Sequence, residues 1–424
     1  MAEYIEKQWR EITSRNPVSG TQFPQGLKDF KFSVGQGYGL IPAQSYFKVT
    51  LKVTVEGSLP GSAGNEKVTF ADGVCGNLFN NIYFNMGGQT ISSITSGLPQ
   101  CDILKNRLTK SSTYNKTIGE TQGFQAHFQT RLLNMAYDVG QKEVENNDTR
   151  GRNQRSFIWQ PAIGIFDVSQ PLGAGEYDIQ LNPSQDYKKA SIDTYNIPGI
   201  PAGREIGDDA TEVDLEVIDI RFYACLVRVN LPSSGVETLH LMEMAVNTAN
   251  VDTSGGEINE EVSVPSSTRA ITLFVQDQQA GKTTNIPPSK YHIAGTDGNK
   301  NANKIQSYQV EYAGMTKPTV RYTSSYDSNV LTLQQRYINS ALESGQYFNP
   351  SGFETLNEYL ERGPFFHESF IKSADNLATR AHIVAQYESP FNRAARLFVV
   401  AHHSKTIQIT RQNGMIVNVV SLNV

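Results

Sequence analysis

The chain has 424 residues, a formal net charge of -5 and only 19% charged residues, so no chain-wide basic surface for wrapping nucleic acid is present. Its three cysteines, Cys75, Cys101 and Cys225, are odd in number and lack a CxxC pair, which argues against a disulfide framework and a zinc ribbon. No apolar run reaches membrane-spanning length and the start MAEYIEKQWREIT lacks a signal-peptide core, so a soluble chain made in the cytosol is expected.

In chain order, Ile5, Trp9 and Ile12 recur at helical spacing between charged residues, and the spacing predicts a short amphipathic helix over 3–13. The linker NPVSGTQFPQG follows. Residues 1–28 therefore read as an N-terminal arm whose Ile5, Trp9 and Ile12 meet a partner or the protein's own body. From Phe30 strand-like runs recur: FKFSV, SYFKVTLKVTV, NLFNNIYFNM, SFIW, IGIFDV, EYDIQL and VIDIRFYACLVRV. In SYFKVTLKVTV, Phe47, Val49, Leu51, Val53 and Val55 alternate with Lys and Thr, the pattern of a strand with one buried face. Two stretches, 99–109 and 121–136, fit short helices, the second through Phe124, Phe128, Leu132 and Met135.

After Val229 the pattern begins again with LHLMEMAV, ITLFV, IQSYQVEYA, AHIVAQY, ARLFVVAHH and TIQIT. It is interrupted by a helix at FETLNEYLER that ends at Gly363-Pro364. The last stretch holds a continuous apolar run from Leu397 to Ala401, then an alternating strand, then Asn413-Gly414, the dipeptide of a tight hairpin turn. The expected class is all-β, with a first β-domain over 29–231 and a second over 232–424.

No catalytic constellation emerges. Gly35-Gln36-Gly37-Tyr38-Gly39 lacks the following helix of a phosphate loop, and Gly281-Lys282-Thr283 lacks the glycine five residues before Gly281, so both read as turns. The seven histidines show no metal-ligand spacing, and adjacent His402 and His403 in a strand point to opposite faces. Glu358, Glu361 and Glu368, or Asp208, Asp209 and Asp214, are carboxylate groups conceivable as a glycosidase pair or a calcium site, but structural roles are favoured. The basic cluster Arg150 to Arg155 reads as a solvated loop, and the sequons at Asn115 and Asn147 as chance matches. Catalytic, cofactor-binding and metal residues are therefore expected to be none.

Four segments carry a family resemblance. DGVCGNLFNNIYFNMGGQTIS (72–92) is similar to a segment of double jelly-roll major capsid proteins in which a strand with an apolar-Phe pair precedes polar turn residues. IFDVSQPLGAGEYDIQLNPSQDYKKASI (165–192) resembles the family's Gly-turn, strand and polar loop, and VIDIRFYACLVRVNLP (217–232) resembles the strand that closes the first jelly roll. RLFVVAHHSKTIQITRQNGMIV is similar to the ending of virophage, Polinton-like virus and adintovirus capsid proteins, departing from it where His402-His403 replaces an acidic residue.

The resemblance implies two tandem eight-stranded jelly-roll β-sandwiches with short inserted helices, ending in the last strand pair of the second. It implies a non-enzymatic major capsid protein of an icosahedral dsDNA virus: a homotrimer forming a pseudo-hexameric capsomer that tiles the shell around the genome, located in the virion, without sequence-specific nucleic-acid binding. Loops near 141–156 and 280–305 would face outward. The arm with Ile5, Trp9 and Ile12 would lie inward, within reach of neighbouring capsomers, minor or penton capsid proteins, or an internal membrane. Two other readings are a minor or vertex (penton-type) capsid protein, and a carbohydrate-binding or glycan-cleaving β-sandwich. The second should show a groove lined by exposed Trp or Tyr, and Trp9 and Trp159 are the chain's two tryptophans.

Overall fold

The structure is a computed structural model and describes residues 6–55, 66–124, 135–138, 154–196, 213–229, 234–251, 256–282, 288–289, 291, 305–319, 330–345, 352–370, 377–387 and 394–422. Eight of the strands in the first half build its two main sheets: β1 (Glu6–Thr13), β2 (Lys28–Val34), β3 (Tyr46–Val55), β4 (Phe79–Met86), β5 (Gln89–Ile94), β6 (Gln154–Trp159), β7 (Gly175–Pro183) and β8 (Val213–Arg228). They pair in the orders β1-β8-β3-β6 and β2-β7-β4-β5, all antiparallel.

The second half repeats the scheme with β9 (Ser234–Val251), β10 (Gly256–Ser263), β11 (Thr268–Asp277), β12 (Ile305–Tyr312), β13 (Met315–Lys317), β14 (Phe366–Ser369), β15 (Arg380–Tyr387) and β16 (Ala395–Gln412). Their orders, β9-β16-β11-β14 and β10-β15-β12-β13, match those of the first half position for position. In each half the first strand lies beside the eighth and the second beside the seventh, the strand arrangement of a jelly roll. Helices α1 (Leu98–Thr109) in the first half, and α2 (Val330–Ser344) and α3 (Leu356–Glu361) in the second, stand at equivalent places between the fifth and sixth strands.

Local chemistry accounts for the elements. Along β3, Phe47, Val49, Leu51 and Val53 are buried, and Phe47 packs on Phe30 and Phe222 at ring-centroid distances of 5.2 and 4.9 Å. Helix α3 starts on a capping box: Thr355 Oγ1 accepts from Glu358 N and Glu358 Oε2 accepts from Thr355 N. Gly363, with φ 87°, ends that turn. The helix expected at 99–109 is present as α1. Most of the helix expected over 121–136 lies outside the described residues, and Met135–Asp138 is a short strand beside residues 66–70.

The N-terminal segment differs from expectation. Residues 6–13 form strand β1, not a helix, in register from Glu6 opposite Arg228 to Thr13 opposite Arg221. The reason is backbone hydrogen bonding: β8 would otherwise present an open edge, whereas a short exposed helix with two or three apolar residues is marginal in water. In place of a loose arm, β1 is the first strand of the first jelly roll.

The terminal turn is as predicted, Asn413 and Gly414 both holding positive φ, at 54° and 75°. The strand it introduces, β17 (Met415–Leu422), is however a ninth strand added to β16 and not one of the eight. Its start also reaches the first half, where Ile416 N donates to Ala174 O at 2.8 Å, and Gln36 Nε2 donates to Asn413 O at 3.2 Å.

Candidate functional site

The continuous apolar run Leu397–Ala401 has a direct explanation: the sheet that contains it is buried on both faces. Leu397, Val399 and Ala401 point into the second sandwich with Ile271, Leu273 and Val275, while Phe398 and Val400 join the core that extends into the first half. The two jelly rolls thus share a packed seam. Phe274 stacks on Tyr291 at 3.9 Å and on Phe398 at 5.1 Å, and Gln100 of α1 donates from Nε2 to Gln276 Oε1 at 3.3 Å.

Buried charges cross this seam. Arg107 on α1, with no exposed side-chain surface, donates to Glu354 Oε1 from Nε at 2.9 Å and from Nη2 at 2.7 Å, and to Gly363 O at 2.9 Å. Its guanidinium lies 4.7 Å from the ring centroids of both Tyr291 and Phe365. Arg362 stands 3.4 Å from Asp72 and 3.7 Å from Glu354. Burial pushes the Glu354 carboxyl up, and Arg107 and Arg362 oppose that shift. Ser112 donates to Glu358 Oε2, joining α3 to the first half.

A second group of buried carboxylates holds the segment 161–165. Asp102 accepts from Trp159 Nε1 at 2.6 Å and from Ala162 N at 2.7 Å. Glu243, on β9 of the second half, accepts from Ser92 Oγ and from Gly164 N, the latter at 3.3 Å, and Ile165 N donates to Ser92 Oγ at 3.2 Å. Burial raises both carboxyls to about 7, against these hydrogen bonds. Gly164 is required here by space. A Cβ on it would stand 2.6 Å from Met242 O, so Gly164→Ala is expected to force the halves apart locally. Differential scanning calorimetry should show a melting temperature several degrees lower.

The residues singled out from sequence fall as follows. Ile5 lies outside the described residues. Trp9 is 49% exposed on β1, with Lys7 Nζ 4.7 Å from its ring and its Nε1 donating to Gln44 O at 3.3 Å, whereas Ile12 is buried in the core and offers nothing to a partner. Glu11 beside them accepts from Tyr223 and Arg221, which lower its pKa. Among the carboxylates weighed as catalytic, Glu358 caps α3 and Glu368 accepts from Tyr308 OH at 2.5 Å, while Asp214 pairs with Lys188. Trp159 is buried against Phe79, their rings stacked at 5.5 Å, so it lines no groove. His402 points inward to Thr272 Oγ1 at 2.7 Å, and Thr272 also meets His367 Nδ1 at 2.8 Å. Burial keeps His367 neutral, its pKa pulled down to about 3. Among the described residues, no three His, Cys, Asp or Glu side chains stand together as a metal site. The loops expected near 141–156 and 280–305 fall largely outside the described residues.

The seam itself was not visible in sequence, because its partners are far apart along the chain; Arg107 and Glu354 are separated by 247 residues. The one available signal was Arg107 beside apolar Leu104 and Leu108 on a helix.

No family model and no curated protein matches the sequence. Solved structures do match in fold over nearly the whole chain. A chain of the Sputnik virophage, solved by cryo-EM, aligns with TM-score 0.63 and 10% identity, covering 99% of this chain and 89% of that one. The mavirus major capsid protein aligns with TM-score 0.55 and 10% identity, over 99% and 90%. The Faustovirus major capsid protein aligns with TM-score 0.52 and 8% identity, over 96% and 90%. At these identities the likeness is one of fold, and the fold of this chain is the double jelly roll.

Proposed function

We propose, from a double jelly roll matched end to end by viral major capsid proteins, that this chain is a structural protein of an icosahedral capsid. The observation that carries the reading is the match of both jelly rolls together, over 99% of this chain. In this reading the role is assembly and not catalysis. Three copies form a capsomer in which six jelly rolls give pseudo-sixfold symmetry, and capsomers tile a shell enclosing a DNA genome inside the host cell.

The physical features agree with such a role. The seam fixes the two jelly rolls against each other, which a tile needs in order to hold its shape. Among the described residues β1 is an edge strand, it bears exposed Trp9, and an edge strand with an exposed aromatic is a ready surface for a neighbouring subunit or minor capsid protein. On β17, Val417 and Val420 add exposed apolar surface.

Electron microscopy of the concentrated full-length protein tests the reading: hexagonal tiles or closed shells are expected, and dispersed single particles under every assembly condition would count against it. Trp9→Ala is expected to leave the melting temperature within about two degrees, since the side chain is half exposed, while lowering the yield of assembled tiles. Unchanged assembly would remove β1 from the contacts.

A further inference from the structure

Beside the seam, between the end of α1 and the first half of β9, lies an open cavity of about 670 Å³. Lys105, Lys110 and Asp167 of the first jelly roll form one wall, and Thr238, His240 and Met242 of the second form the other. Its charges do not balance. Lys105 Nζ binds both carboxylate oxygens of Asp167, at 2.9 and 2.7 Å. Lys110 has the face of Tyr114 at 4.6 Å, and no carboxylate within ion-pair distance of it among the described residues.

Burial, then the nearby Lys105, pull the Lys110 pKa down, and Asp167 only partly offsets them. The buried carboxylates behind the wall do not supply the missing charge. Glu243 is taken up by Ser92 and Gly164 N, and Asp102 by Trp159 and Ala162 N. From the opposite wall, exposed His240 has its Nδ1 3.3 Å from Thr406 Oγ1. One carboxylate thus serves two ammonium groups in a concave, half-desolvated site, which favours entry of a further negative charge.

We infer that this cavity is an anion-binding site, taking a carboxylate or phosphate group that pairs with Lys110 Nζ, with His240 as a second donor from the other jelly roll. Because its walls belong to both halves, a bound anion ties them together. The inference stands independently of the capsid role.

Isothermal titration calorimetry on the full-length protein tests it, with citrate and inorganic phosphate as probes and sodium chloride at matched ionic strength as control. Saturable binding of at least one probe is expected, weakened about tenfold or more in Lys110→Gln, as befits loss of a charge-assisted hydrogen bond, and less in His240→Gln. Binding of citrate alone assigns a carboxylate ligand, and binding of phosphate alone a phosphate. If Lys110→Gln folds poorly by circular dichroism, His240→Gln, altered at an exposed side chain, carries the comparison. Heats no larger than those of chloride for both probes, or wild-type affinity in a folded Lys110→Gln variant, would overturn the inference.

Discussion

Replacing Arg107 by methionine is expected to destabilise the protein by about 3–5 kcal/mol, the cost of breaking a buried ion pair and leaving its partner charged in the interior. Arg107 is fully buried, and its loss leaves Glu354 with Arg362 alone, at 3.7 Å. It also removes the donors that satisfy Gly363 O and the cation between Tyr291 and Phe365. The double variant Arg107→Met with Glu354→Gln should cost less than the sum of the two single changes, because the neutral amide no longer needs a counter-charge. Urea denaturation followed by near-ultraviolet circular dichroism gives the comparison. Loss of under about 1 kcal/mol in Arg107→Met, on the scale of an exposed ion pair, would mean that the seam is wetter than the structure shows.

The second large effect is one of pH. Glu243 has a folded-state pKa of about 7, above its ordinary value, so the native form binds the proton more tightly than the unfolded chain. The stability it contributes is complete below the ordinary glutamate range and is lost as pH rises through about 7. For a shift from 4.5 to about 7 the loss is roughly 3 kcal/mol. Asp102, also at about 7, acts in the same direction. The buried histidines act in the opposite one: His367, at about 3, and His403, at about 4, stay neutral when folded, and the unfolded chain gains protons below pH 6.5.

The total pH profile is therefore a sum of opposing slopes, and a variant isolates the Glu243 part. Glu243→Gln can still accept from Gly164 N and meet Ser92 Oγ. It is expected to match the wild type near pH 4 and to exceed its stability by up to roughly 3 kcal/mol at pH 8, read as the difference between urea midpoints. A difference that does not change with pH would place the proton elsewhere.

How much of this was legible in the sequence depends on the range of the interaction. Period-two alternation in β3, the Asn413-Gly414 turn and the capped helix at 356–361 are local, and each appears where its residues put it. The N-terminal segment was misread because Trp9 and Ile12 fit a helical spacing as well as a strand. Eight residues cannot separate periods of 3.6 and 2 when so few are apolar, and the deciding term is the edge of β8, more than 200 residues away. Leu397–Ala401 read as a continuous apolar run of a strand, without saying what covers its second face. That cover is the first jelly roll, through contacts such as Gln100 on Gln276 and on Tyr291, whose OH donates to Gln100 O at 3.4 Å. Glu243 carried no signal of burial and Arg107 only that of its apolar neighbours Leu104 and Leu108, since a charged residue is ordinarily exposed and only the assembled seam supplies their partners.

In the proposed capsid role the same seam would link fold to function. A capsid tile made of two jelly rolls must present fixed outer flanks to its neighbours, and a shared core crossed by buried charges gives that fixity in one chain. In that reading the edge of β1 and the apolar residues of β17 are the surfaces proposed for association between chains.

The most direct test of the capsomer reading is the mass of the purified full-length protein by light scattering coupled to gel filtration. One compact species near three times the 46.9 kDa chain mass is predicted. A folded protein that stays monomeric at every concentration tested would contradict the reading, and a five-fold species would move it to a vertex protein.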